Sequence, residues 1–172
     1  MAQPPPRIRL QQAAPELYQA YQGLEVALHR SGFDPALYEL VKTRASQING
    51  CAFCLDMHTK DARAAGETEQ RLYLLPAWRE APLYTERERA ALALTEAVTL
   101  VADGHVDDGV WAQAAAVFPE PELAALLMAI VTINGWNRIA ITLRSEVGGY
   151  QPARSTSDQA PDGTGDQARD RG

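Results

Sequence analysis

The chain has 172 residues, 46% hydrophobic and 22% charged, the balance of a globular protein long enough for one sizeable core. A net charge of −6 argues against a basic face for nucleic-acid backbones and against adhesion to anionic membranes. The proline-rich, polar opening MAQPPPRIRL lacks the basic and apolar regions of a secretory leader. The most apolar run, residues 123–133, falls short of the roughly 20 residues that span a bilayer, so a cytoplasmic protein is expected.

Strand alternation is scarce, and alanine- and leucine-rich segments with helical spacing run almost throughout, which predicts an all-α fold. The pattern predicts a first helix over 15–30, ending before Ser31-Gly32. Asp34-Pro35 supplies an N-cap and a proline at the first helical position, and starts a helix that runs to about Ile48. Asn49-Gly50 stops it, because both residues tolerate the left-handed conformation. The next helix begins near Cys51 and runs to Ala65, with Gly66 as terminator. A short helix is expected over 68–75, then a loop holding Pro76 and Pro82. Thr85-x-x-Glu88 is a capping box that opens a helix lasting to about Val101. Further helices are expected over 107–117 and 122–143, the last uncharged between Glu122 and Arg138 and therefore buried on several sides. The expected organisation is an N-terminal extension (1–12), one domain of six or seven helices (13–150) and a disordered tail (151–172) that has no large apolar residue.

The chain's two cysteines, Cys51 and Cys54, stand at a helix start, and His58 follows one turn later. At about 100° per residue, these three side chains share an arc of roughly 60°, together with Leu55, Ala62 and Ala65. They therefore face the interior. Either feature alone reads as ordinary core, since cysteine behaves as a small buried hydrophobe. Together they supply more. A helix N-terminus and a C-x-x-C spacing both favour thiolate, and a neighbouring imidazole can take and return the proton. Zinc is the competing reading: two thiolates and His58 make three ligands, and Glu39 would complete a fourth, but no third cysteine or second knuckle exists. No metal and no cofactor are expected.

The run from Glu39 through Ser46-Gln-Ile-Asn-Gly-Cys51-Ala-Phe-Cys54 to His58 resembles the core of the alkylhydroperoxidase AhpD-like proteins, within the wider carboxymuconolactone decarboxylase family. The segment INGWNRIAI, residues 133–141, also looks like the late helix of its single-domain members, and the likeness covers roughly residues 10–150. The resemblance implies an all-α bundle that assembles as a homo-oligomer, trimer or hexamer. It implies a peroxidase that takes a small hydroperoxide and is recycled by a thiol reductant of the thioredoxin-like or lipoyl type. It assigns Cys54 as the peroxidatic sulfur, Cys51 as the resolving one nearer the surface, and His58 with Glu39 as a proton relay. One departure stands out: the proteins that give the family its name carry a histidine between the cysteines, where this chain has Phe53. The alternative readings are a redox switch or binding protein that uses the dithiol without efficient turnover, and a zinc-bound structural module.

The remaining polar residues carry blander expectations. His29 is placed at a helix C-terminus with no catalytic part, and His105 in a surface turn. Trp136 is read as packing, Asn137 as satisfying a buried group, and Ser46 and Gln47 as structural helix residues first and as hydrogen-bonding neighbours of the thiolate second.

Overall fold

Side-chain caps set several of the helix boundaries in the computed structural model, which describes residues 4–152. Eight α-helices and no strand occur among the described residues: α1 (Leu10–Ala13), α2 (Pro15–Arg30), α3 (Pro35–Asn49), α4 (Ala52–Ala64), α5 (Glu69–Leu74), α6 (Glu86–Thr99), α7 (Asp108–Val117) and α8 (Glu120–Leu143). A 3-10 turn, Leu75–Ala77, follows α5. The Asp34 carboxylate accepts the Ala36 and Leu37 N–H groups at 2.9 and 3.3 Å, and Pro35 sits where its missing N–H costs nothing. Thr85 and Glu88 close the expected capping box reciprocally.

Three differences from the sequence expectation have simple causes. One extra helix appears because the last three residues of the presumed N-terminal extension, with Ala13, form α1, a single turn packed on α2. The last helix starts at Glu120, not Glu122, since Pro121 in the first turn needs no N–H partner. The sixth ends at Thr99, two residues before the expected Val101. The tail expected to be disordered lies outside the described residues from position 153 onward.

α3 is the hub, packing against α4, α6 and α8. Leu40, Val41, Leu92, Leu94, Leu126 and Ile130 are almost wholly buried there, each contributing about 1.5–3 kcal/mol of transfer free energy. Glu96 on α6 ties the layers by accepting from the Trp78 indole and the Arg44 guanidinium, both at 2.8 Å. By length and composition α8 alone among the described helices is apolar enough to cross a membrane, but it is the bundle's core helix: Leu126, Ile130 and Ile133 are fully buried on its inner face. Its buried polar residues knit it to the end of α3. The Asn49 amide donates to Asn134 Oδ1 at 2.9 Å and to Asn137 Oδ1 at 2.8 Å, while the Asn137 amide donates to Ser46 Oγ at 3.0 Å. That network fixes the turn from which the cysteines emerge.

Candidate active site

Gly50 closes α3 with φ of 68°, the left-handed region where glycine has no Cβ penalty. The next N–H, that of Cys51, bonds back to the Ser46 carbonyl at 3.0 Å, so the chain reverses within one residue and α4 begins. Cys51 is the N-cap of α4, and its sulfur accepts the Cys54 N–H at 3.4 Å, in the place a serine oxygen takes in an ordinary cap. The two sulfurs are joined as a disulfide, with Cα atoms 5.4 Å apart.

His58, one turn beyond Cys54, is 4% exposed. Its Nδ1 lies 2.8 Å from Glu39 Oε2, which α3 delivers from the other side of the turn. An ionised carboxylate has only acceptors, so Nδ1 carries the proton and Nε2 is left as the basic nitrogen. Cys54, His58 and Glu39 all line one cleft of about 1010 Å³. Phe53, Met57, Trp136 and Ile139 supply apolar wall in the same cleft. Trp136 is held edge-on by Tyr18 and Tyr21, with ring centroids 5.6 and 4.6 Å away.

The structure thus brings together all four residues singled out in the sequence, with one correction. Cys51 was expected nearer the surface than Cys54. Both are 1% exposed, and of the two only Cys54 lines the cleft. Cys51 is the N-cap of α4 and lies with Cys54 in a buried cluster that includes Ala45, Ile133 and Ala140. Ser46 and Gln47 have structural roles, as their place inside a helix suggests: Ser46 holds Asn137 and the Cys51 N–H, and the Gln47 side chain accepts from Arg44. His105 occupies a left-handed turn outside the cleft. His29, in the last turn of α2, stands edge-on to Tyr38 at the cleft's rim.

Two features escaped the sequence reading. Lys42 is buried within the cleft wall, bonded to Glu25 Oε2 at 2.6 Å and 4.0 Å from the centre of the Tyr38 ring, while the Tyr38 hydroxyl donates to the same Glu25 oxygen. Burial would push the Glu25 carboxyl up, but the charge and hydrogen bond of Lys42, helped by Tyr38, hold it below the usual carboxylate range. Burial and that same bond push the Tyr38 phenol well up. The available signal was positional: Lys42 follows Glu39 by three residues and so shares its helix face. Asp61 is the second. It follows His58 by three, lines the cleft, and places a carboxylate oxygen within 4.8 Å of ligand atoms of His58 and Glu39.

This spacing bears on metal binding. With both thiolates consumed in the disulfide, the ligand set read from the sequence is not assembled, and the converging ligands are Glu39, His58 and Asp61 instead. Each of them already has a hydrogen-bond partner: Glu39 and His58 hold one another, and Asp61 holds the Tyr150 hydroxyl.

The carboxymuconolactone decarboxylase family model matches residues 13–97. The chain is 42% identical to the uncharacterised protein YdfG of Bacillus subtilis over 137 residues, covering 80% of this chain and 93% of that one. It is 43% identical to an Agrobacterium tumefaciens protein of unknown function, solved by crystallography under the description 'putative antioxidant defence protein AhpD'. That superposition has a TM-score of 0.80 and covers 83% of this chain and 98% of the other. The debrominase Bmp8 in its apo form shares the fold alone, at 21% identity and a TM-score of 0.73, with 81% and 75% of the chains covered.

Proposed function

This chain is a member of the carboxymuconolactone decarboxylase family, in its AhpD-like branch, and on that premise we propose that it is a thiol-dependent peroxidase acting on organic hydroperoxides. The observation that carries the reading is the opening of Cys54, His58 and Glu39 onto one apolar-walled cleft, with Cys51 already within bonding range of Cys54.

In the oxidative half, His58 takes the Cys54 thiol proton and the thiolate attacks the outer peroxide oxygen. The O–O bond breaks, Cys54 becomes a sulfenic acid, and the departing alkoxide recovers the proton from His58. Glu39 orients the imidazole and stabilises its charged form. Cys51 then attacks the sulfenic sulfur, water leaves, and the disulfide forms before a second peroxide can over-oxidise Cys54. In the reductive half, a donor thiolate attacks Cys54 from the cleft and Cys51 departs. The N-cap suits Cys51 to that role, because the Cys54 N–H and the helix N-terminus stabilise negative charge on its sulfur. Phe53, in place of the histidine that the AhpD proteins carry between their cysteines, adds to the apolar wall and favours a carbon-bearing peroxide.

A homo-oligomer, trimer or hexamer, belongs to the same proposal, supported by exposed Met128, Val131 and Ile141 along α8. So does a cytoplasmic setting with a thioredoxin-like or lipoyl-type donor; the steps above need no metal or other cofactor. The test is peroxide consumption with a panel of donors: a thioredoxin system, dihydrolipoamide and glutathione. Cys54→Ser should abolish turnover, and Cys51→Ser should leave a sulfenic acid that dimedone traps at Cys54. Wild-type turnover in both variants would refute the assignment. The near-complete burial of both sulfurs favours a second reading, a redox switch that oxidises once and stops; steady-state turnover with donor in excess separates the two.

A further inference from the structure

Past α8 the chain turns at Arg144, which has φ of 58°, and runs back across α4. The Gly148 N–H donates to Asp56 Oδ2 at 3.1 Å, and the Lys60 ammonium, paired with Asp56 at 2.9 Å, donates to the Tyr150 carbonyl at 3.0 Å. These contacts deliver the Tyr150 hydroxyl to Asp61, 2.7 Å from Oδ1 and 2.9 Å from Oδ2. Asp61 in turn lines the cleft beside His58 and Glu39, and Tyr150, half-buried, does not. The four groups are therefore contiguous: Glu39, His58 and Asp61 converge in the cleft that Cys54 lines, and Tyr150, half-buried and outside the cleft lining, holds Asp61 from the segment after α8.

We infer that Asp61, held by the Tyr150 hydroxyl, is a positioning residue through which the Glu39–His58 pair exchanges protons with solvent. The inference rests on the peroxidase reading for its purpose, but its chemistry lies in the reductive half. There, two donor thiolates replace the Cys51–Cys54 bond by their own disulfide, and two sulfurs of 1% exposure must each gain a proton from water. Neither sulfur meets bulk solvent. His58 is the basic group at hand, and Asp61 is the carboxylate placed to reload it. Burial and the bond to Asp61 push the Tyr150 phenol up to about 12, so it remains a proton-bearing donor that fixes the carboxylate.

The test uses the full chain and dithiothreitol, with no peroxide present. The oxidised protein is mixed with reductant, quenched in acid at intervals, and its free thiols are counted by alkylation and mass spectrometry. In dilute buffer, Asp61→Asn is expected to slow reduction about tenfold, less than the hundredfold or more typical of a residue that hands a proton to the reacting atoms. Raising the concentration of imidazole buffer should restore the rate, because a small soluble acid replaces the lost outlet, while the wild-type rate stays independent of buffer. Tyr150→Phe should fall between the two and be rescued in the same way. Wild-type rates in Asp61→Asn, or a slowing equal at every buffer concentration, would overturn the inference, the latter by marking a structural role. Tyr150→Phe at the wild-type rate would overturn it too, since the Tyr150 hydroxyl is what holds Asp61, and if Asp61→Asn does not fold, Tyr150→Phe carries the test alone. A wild-type chain whose dithiol ignores peroxide would sink the peroxidase reading while leaving this result standing.

Discussion

Glu39→Gln isolates the contribution of one hydrogen bond to the proposed chemistry. The substitution keeps the volume of a side chain that is largely buried against His58, so the bundle should fold with nearly unchanged stability. What changes is the 2.8 Å contact to Nδ1. If the amide presents its oxygen, the bond survives but the charge that stabilises an imidazolium is gone. If it presents its NH2, Nδ1 must accept, the proton moves to Nε2, and the base facing the cleft is lost. A hydrogen bond to a charged group is worth about 1.5–3 kcal/mol. At about 1.36 kcal/mol per factor of ten, that is a loss of roughly 10- to 150-fold in the rate of sulfenate formation. The assay is a single turnover: reduced protein is mixed with cumene hydroperoxide, and thiol loss is followed against time, with urea unfolding as the control. A Gln variant within twofold of wild type would show that Glu39 does not act through His58, and the relay would have to be abandoned.

Three further outcomes follow from packing. A Cβ on Gly135 would lie 1.8 Å from the Tyr21 hydroxyl oxygen, which donates to the Thr132 carbonyl at 2.8 Å. Gly135→Ala should therefore destabilise by about 1–3 kcal/mol, since overpacking and the lost bond outweigh a helix-propensity gain of about 1 kcal/mol; a melting point equal to wild type would refute this. Thr43 Oγ1 is buried without a hydrogen-bond partner among the described residues, so Thr43→Val should stabilise by about 1 kcal/mol and raise Tm by about 2–4 °C, read by calorimetry. A lower Tm would reveal a partner. Lys42→Met leaves the Glu25 carboxylate without its cation and should cost about 3 kcal/mol at neutral pH. Because Glu25 is held below its unfolded value of about 4.3, its share of the stability is fully present above that pH and is lost as pH falls through the folded value. The variant should therefore lose less stability than wild type on acidification, and urea midpoints at neutral and acid pH that fall in parallel for the two proteins would refute the pairing.

The parts of this molecule legible in the sequence are those whose chemistry is local. Asp34-Pro35 and Thr85-x-x-Glu88 state their helix starts outright, because a cap needs only residues within one turn of it. Glu39, Cys51, Cys54 and His58 could be gathered from one short stretch, since they straddle a single reversal at Gly50 and helical spacing puts the last three on one arc. Phe53 could be seen as a departure from the pattern, though not as cleft wall.

What the sequence withheld depends on how distant elements meet. Nothing local to Cys51 says that it will join a buried cluster with Ile133 and Ala140 of α8, so its expected exposure was wrong. Asn49 looked like a helix stop and is one, yet its amide also holds Asn134 and Asn137, some 85 and 88 residues away. The same holds for charge. Nothing local singles out the partners of Lys42 or Asp61, because the first meets Glu25 from α2 and the second meets Tyr150 from the segment after α8. A buried charge is stable only with a partner, and the partners lie on other elements. The reacting atoms of the proposed site are thus encoded within one turn of chain, while the groups that hold and tune them are encoded by the bundle.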